Sequence, residues 1–329
     1  MKIIITGGGG FLGSQLAEAL LARGTLTGPS GEPEPINQLV LLDARFATTA
    51  TNPRVQQLEA DISDRAVIDE AVGGSAEFSI FHLASMVSGE CEERYEDALR
   101  VNLDGGRHIF DAARAAAGRP RVVFASSVAS FGGESMPTPV GDLTKHTPRT
   151  TYGMTKAICE LLLNDHARKG HFDGRAVRLP TVIIRPGRPN AAASSWASGM
   201  FREPLKGEPC ALPVHRTQPH PMTGFKTVVE SFIGLHEVPE EQLGDDRGYC
   251  LPAHVVTPEL AARVLDEVAG ERSLTLGAIE DGFDERIQTM VDSWPTAVDG
   301  TRAVALGLPE PPPLKEIVGQ YLDTFGGRA

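Results

Sequence analysis

Tyr152 and Lys156 stand four residues apart in the run Tyr152-Gly153-Met154-Thr155-Lys156. On a helix this spacing puts both side chains on one face, one turn apart. A free tyrosine, with a pKa of about 10, is a poor base at neutral pH. A neighbouring ammonium favours the phenolate, so the pair is expected to move a proton at physiological pH. The pattern is common by chance on exposed helices, and its weight comes from two further pieces. One is the hydroxyl pair Ser126-Ser127 at the end of the apolar run 121–125. The other is the N-terminal stretch Gly7-Gly8-Gly9-Gly10-Phe11-Leu12-Gly13.

The elements that must position these groups are readable from the same chain. Ile3-Ile4-Ile5 is β-branched without alternation, as in a strand buried on both faces. After the glycines, Leu12, Leu16, Ala19, Leu20 and Ala22 recur at helical spacing. A strand, a glycine turn and a helix together make a dinucleotide site of a glycine motif. Gly7, Gly10 and Gly13 let the backbone, with Phe11 and Leu12 between them, approach a pyrophosphate at a helix N-terminus. Residues 38–43 read as the next strand. Its terminal Asp43 stands where such folds bind the adenosine ribose hydroxyls. The carboxylate opposes a 2′-phosphate, which favours NAD over NADP. Arg45 is a counter-signal, since an arginine can pair with that phosphate. Residues 24–36, rich in Pro and Gly, are expected to form a surface loop.

Strands and helices alternate onward. Residues 55–58 lead to Asp61 and Ile62, placed to meet the adenine ring. A helix is expected around 66–72, then a strand over 78–84 ending in Leu83 and Ala84. A long helix over 92–117 follows, then a strand over 121–127 and the Tyr/Lys helix over 151–169. A further strand region runs from 176 to 185 and includes Pro180 and Val182, whose backbone groups could orient the nicotinamide amide. This order implies an α/β fold, a Rossmann-type doubly wound parallel sheet covered by helices on both faces. Ligands of such sheets bind at the carboxyl ends of the strands. From Pro186 onward Pro and Gly become dense. Residues 187–329 are expected to form mainly a smaller C-terminal substrate-capping region. Part of 224–256 returns to the NAD-binding domain, 1–186. Thr257-Pro258 reads as a capped helix start, and the prolines of 309–313 as a turn before a final helix.

Composition sets bounds. A net charge of −12 argues against nucleic acid as a partner. No apolar run reaches the length of a membrane span, and Lys2 leads straight into a strand and not into a secretory leader. The four cysteines, Cys91, Cys159, Cys210 and Cys250, lack paired spacing and are expected to be reduced packing residues of a cytoplasmic protein. The nine histidines show no ligand spacing, so no metal is expected.

The glycine motif, Ser127 and Tyr152-x-x-x-Lys156 together resemble the extended short-chain dehydrogenase/reductase superfamily. That resemblance implies catalytic roles for Ser127, Tyr152 and Lys156, and a positioning role for Asn102. Ser126 competes with Ser127 for the serine role. Counted back from Phe131-Gly132, where relatives often carry Tyr-Gly, Ser127 takes it and Ser126 supports the strand end. Residues 81–89, 179–187 and 189–195 further resemble the D-erythronate dehydrogenase family, whose members oxidise a four-carbon sugar acid at C2 with NAD. Met222-Thr223-Gly224-Phe225-Lys226 departs from a Met-Ser-Pro-Arg-like run, and Lys226 lacks the bidentate fork of arginine.

The resemblance implies a simple chemistry. Tyr152 takes the hydroxyl proton, hydride leaves the same carbon for the nicotinamide, and Ser127 holds the oxygen as it becomes a carbonyl. Ser85 and Ser88 on one side, with Asn190, Ser194 and Ser195 on the other, offer a polar wall for a polyol. Arg202 is the first candidate for the substrate carboxylate, with Arg185 and Arg188 behind it; each can equally be a surface ion pair. Two other readings stand beside the dehydrogenase. One is a nucleotide-sugar epimerase with the same triad and a tightly held NAD. The other is a non-catalytic dinucleotide sensor. A homodimer is expected through the Tyr/Lys helix, which carries Ile158, Leu161, Leu162 and Leu163.

Overall fold

The computed structural model describes residues 1–73, 77–189 and 192–326. Among these, seven parallel strands form the central sheet. Their order is Gly248–Cys250, Asp173–Leu179, Arg121–Ser127, Phe78–His82, Lys2–Thr6, Gln38–Asp43 and Val55–Glu59. The first strand lies inside the sheet: Ile4 faces Val40 on one neighbour and Ile80 on the other. The chain first builds outward to Val55–Glu59, then returns across the first strand to Phe78–His82. Strand order therefore reverses beside Lys2–Thr6, which opens a crevice at the carboxyl ends. The inner strands Lys2–Thr6, Gln38–Asp43 and Phe78–His82 are buried on both faces and read as largely apolar runs for that reason.

One cluster of buried side chains packs Leu16 and Leu20 of the helix Phe11–Arg23 against Ile3, Ile5 and Leu39. On the other face Ile109, Phe110 and Leu163 cover Ile4, Ile80 and Val122. A separate cluster unites Trp196, Phe201, Met222, Val256, Trp294 and Tyr321, and forms the core of the C-terminal region. The helix Phe225–Glu237 and the strand Gly248–Cys250 join the main sheet, with Val228 and Phe232 in its core. Ala303 and Leu308, much later in the chain, return to the same core. No helix among the described residues is long and apolar enough to cross a membrane.

Four expectations need correcting. Residues 24–36 form a small antiparallel hairpin, Thr25–Thr27 with Pro33–Pro35, and not a plain loop. Its Leu26 and Ile36 are buried, and Glu237 accepts hydrogen bonds from the Thr27 amide and hydroxyl. The helix expected over 92–117 is broken at Arg94, whose φ and ψ are −129° and 65°. A short helix, Ser88–Glu93, precedes the break; a π-helical turn, Leu99–Asp104, lies beyond it, before Gly105–Ala115. The strand region expected over 176–185 splits at Pro180, which has no amide hydrogen to donate to a ladder. Asp173–Leu179 stays in the main sheet, while Thr181–Ile183 pairs with His220–Gly224 in a second sheet of three strands. Lastly, Lys226 of the atypical segment is the second residue of the helix Phe225–Glu237, where its charge acts on Asp323.

Candidate active site

The glycine turn is built as a cradle. Gly7 sits in the left-handed region at φ +72°, and a Cβ there would meet the Ala84 amide nitrogen at 2.8 Å. A Cβ on Gly13 would strike the Gly7 carbonyl oxygen at 2.1 Å. Only glycine lets the helix start this close to the strand end. The Gly10 amide donates to Gly7 O at 3.0 Å, and Gly10 precedes the helix Phe11–Arg23, whose first-turn amides have no intrahelical acceptor. Leu83 and Ala84 close the other side: their amides donate to Thr6 O and Thr6 Oγ1 at 3.1 and 3.2 Å. Asp43 turns its carboxylate toward this turn and accepts the Gly9 amide at 3.0 Å. A narrow glycine cradle at a helix N-terminus, with an acidic strand end beside it, fits the pyrophosphate and adenosine ribose of NAD.

Two neighbours are committed to the protein. Asp61 accepts from Arg100 at 2.5 Å and from the Ser63 amide at 2.9 Å. Ile62 is buried in the core against Gly105. The Phe11 ring stacks away toward Phe225 and Phe325, 5.3 and 6.0 Å between centroids, so only its backbone belongs to the cradle.

The strand Arg121–Ser127 and the helix Thr151–Arg168 bring the reactive groups together. Thr150 caps that helix, its hydroxyl accepting the Gly153 amide at 3.1 Å. Ser127 and Tyr152 line one cavity of 230 Å³. Leu12, Ser88, Pro180, Val182 and Ser194 line it too. Ser126 points the other way, buried, and donates to Glu160. Glu160 also pairs with Arg178 at 2.8 Å, two side chains almost fully buried. Burial pushes the Glu160 carboxyl up, but hydrogen bonds and charge from His146 and Arg178 outweigh it and hold it below the ordinary carboxylate range.

Lys156 is buried, donates to Ala125 O at 2.8 Å and lies 5.4 Å from the centre of the Tyr152 ring. The proton-transfer pair differs from expectation here. Burial pushes Tyr152 up to about 12, opposed by the Ser127 hydroxyl, and pushes Lys156 down to about 8. The same desolvation disfavours the charged form of each. The lysine therefore does not bring this tyrosine into the neutral range in the protein by itself.

Asn102 is buried in the π-helical turn and fastens a loop and not a substrate. Its Oδ1 accepts the Met86 amide at 2.7 Å, and its Nδ2 donates to Met86 O at 3.3 Å. Ser88 Oγ accepts the Ala193 amide at 3.1 Å, tying the loop after Phe78–His82 to the segment that leads into the helix Ser195–Leu205. Ser85 donates to the next carbonyl, Met86 O, and does not line the Ser127–Tyr152 cavity. Asn190 lies outside the described residues.

The cation for a substrate carboxylate is the clearest departure. Arg202 is 1% exposed and spends its donors on Glu203 Oε1, at 2.5 and 3.2 Å, and on Arg185 O at 2.9 Å. It lines a neighbouring cavity of 540 Å³ with Glu92, Glu93 and Arg286. An adjacent carboxylate on the same buried helix claims it. Arg185 donates to Arg188 O, and Arg188 is exposed. The described residues around Ser127 and Tyr152 include instead His220 and Trp294, which sequence reasoning missed, and the side chain of Thr181, expected to contribute only its backbone. They come from a Pro-rich stretch and a helix end with no periodicity, and no local signal marks them.

Residues 3–229 match the family described as NAD dependent epimerase/dehydratase family. A D-erythronate dehydrogenase of Cupriavidus necator is 40% identical over 99% of each chain. A D-erythronate dehydrogenase of Haemophilus influenzae is 38% identical, over 98% of this chain and 99% of that one. A solved structure named as a nucleoside-diphosphate-sugar epimerase from Agrobacterium tumefaciens superposes with a TM-score of 0.89 at 36% identity, covering 100% of this chain and 95% of that one.

Proposed function

We propose that this chain, which belongs to the NAD dependent epimerase/dehydratase family of extended short-chain dehydrogenases/reductases, oxidises a small sugar acid such as D-erythronate at C2 to the 2-keto acid. It is an NAD-dependent oxidoreductase, an enzyme and not a cofactor sensor. The observation that carries the substrate reading is the cavity shared by Ser127 and Tyr152. At 230 Å³ it is smaller than the roughly 300–1,000 Å³ of clefts that hold drug-sized ligands, and suits a four-carbon acid.

Gly7, Gly10 and Gly13, with the amides of Phe11 and Leu12, would hold the pyrophosphate of NAD, and Asp43 the adenosine ribose. Leu83 and Ala84 would flank the cofactor, and Pro180 and Val182 would border the nicotinamide end. When bound, NAD supplies a hydride acceptor and a positive ring charge that favours the Tyr152 phenolate. The chain's own groups do the rest. Tyr152 Oη takes the proton of the substrate hydroxyl. Ser127 Oγ, which lines the same cavity as Tyr152, donates to the same oxygen as negative charge develops on it. Lys156, held by Ala125 O, stabilises the phenolate from one helical turn away and would bind the nicotinamide ribose. Asn102 and Glu160 act through others, one by holding the Met86 loop, the other by fixing Ser126 beside Ser127.

The runner-up, a nucleotide-sugar epimerase, draws on the name of the Agrobacterium protein. The room next to the catalytic cavity gives it little support: its three carboxylates, Glu92, Glu93 and Glu203, outnumber its two cations, Arg202 and Arg286, and Arg202 is already paired with Glu203. Four buried free thiols support a cytoplasmic enzyme. The test is a panel of four- to six-carbon aldonic and uronic acids with NAD. NADH release is expected to be fastest with a four-carbon acid. No NADH release with any acid would contradict the reading.

A further inference from the structure

An acid substrate brings a carboxylate into the cavity, yet among its described lining residues there is no lysine, arginine, aspartate or glutamate. It does contain His220 and Trp294. His220 opens the strand His220–Gly224, beside Thr181–Ile183, and its Nε2 lies 2.7 Å from Thr181 Oγ1. The ring is 3% exposed, with the rings of Trp196 and Trp294 at 5.4 and 5.8 Å between centroids. Burial is the sole cause that pushes His220 down to about 4, so the imidazole is neutral at physiological pH. A neutral imidazole has one donor and one acceptor nitrogen. With the Thr181 hydroxyl donating to Nε2, the remaining donor is Nδ1–H. Trp294 adds a second donor, since its indole N–H is buried with no partner. An unpaired buried donor is costly, and a ligand that supplies an acceptor removes that cost.

We propose that His220 and Trp294, and not an arginine, recognise the carboxylate of the substrate and set the enzyme's preference for acids over uncharged polyols. The proposal rests on the sugar-acid reading above. A carboxylate only accepts, so it would pair with donors that the protein leaves without a partner; the Trp294 ring would turn slightly to bring its buried N–H to the acid. In the tautomer with the proton on Nδ1, Thr181 donates to Nε2 from the strand that borders the nicotinamide end, and Nδ1–H is left for the acid group. Trp196 and Trp294 keep the site dry, which strengthens each hydrogen bond to the anion.

The test compares kcat and KM for D-erythronate and for the uncharged polyol erythritol, with the NAD Kd measured alongside. His220→Phe keeps the ring and removes both nitrogens. It is expected to raise KM for the acid by about tenfold or more, the scale of a lost charge-assisted hydrogen bond. NAD affinity is expected to hold, and KM for the acid is expected to rise by a larger factor than KM for erythritol. His220→Asn returns a donor near the place of Nδ1 and is expected to recover most of the loss. Trp294→Phe keeps the wall and is expected to raise KM for the acid several-fold. If His220→Phe fails to fold, as read by its melting curve, Trp294→Phe and His220→Asn decide. An unchanged KM for the acid in His220→Phe and Trp294→Phe, in a wild type that oxidises the acid, overturns this inference alone. A wild type that oxidises no sugar acid overturns both readings.

Discussion

Burial acts on Tyr152 and Lys156 in opposite directions, and the chemistry depends on that balance. Tyr152 sits at about 12 and Lys156 at about 8 in the protein alone. Oxidation consumes the phenolate, so its rate is expected to rise steadily with pH below the tyrosine value. Loss of that rise in the protein with NAD bound would show that the cofactor's charge has already brought Tyr152 below the range measured. Tyr152→Phe removes the proton acceptor and little volume, and is expected to lower kcat by at least ~100-fold with NAD affinity kept. Near wild-type turnover would rule that role out. At Asp43 the expectation concerns cofactor choice: Asp43→Ala removes the charge that opposes a 2′-phosphate and should narrow the preference for NAD over NADP. Wild-type enzyme turning over faster with NADP would show that Arg45 prevails. Tyr152, Lys156, Ser127 and Asp43 were legible because each stands at a strand end or on a helix face that local spacing fixes. Arg202 was misread because its charge is cancelled by Glu203, a neighbour whose meaning emerges only on burial. His220 and Trp294 meet only through tertiary packing.

At the scale of elements, the glycine turn was legible because strand, glycines and helix are contiguous in sequence. The alternating strands and helices were legible for the same reason. What failed were the places where a single backbone torsion or a missing amide decides the outcome. Arg94 breaks the expected long helix, and Pro180 divides one strand between two sheets. That division matters to function, because Thr181 leaves the main sheet to meet His220. The hairpin over 24–36 was hidden by prolines that usually mark loops. It persists because Leu26 and Ile36 are buried and Glu237 binds Thr27. The turn itself invites a direct test. Gly13→Ala would set a Cβ against the Gly7 carbonyl, so NAD affinity is expected to fall by at least about tenfold, about 1.4 kcal/mol. Titration of NAD binding by intrinsic fluorescence measures it, and an unaltered Kd would show that the turn relaxes without cost.

For the whole molecule, three buried histidines link stability to acid. Burial pushes His82 down to about 3 and His220 and His236 to about 4, against an ordinary value near 6.5. The unfolded chain binds more protons than the folded one below pH 6.5. Their contribution is therefore fully present above pH 6.5 and is lost as pH falls toward 4. The melting temperature is expected to drop across that window; a constant Tm from pH 7 to 4 would contradict the burial of these rings. Assembly is a separate expectation. Leu161 is 63% exposed on the Tyr/Lys helix, beside the half-buried Ile158 and Leu162, and we propose that this face pairs with a second copy. Light scattering should give twice the chain mass of 35.1 kDa, and a monomeric mass would exclude the pairing. The central claim, hydride removal from C2 of a small sugar acid with release of the reduced cofactor, is tested most directly with D-erythronate carrying deuterium at C2. The account predicts one deuterium delivered to NADH for each 2-keto acid formed. Unlabelled NADH, or interconversion of a nucleotide sugar with no net NADH, would contradict it.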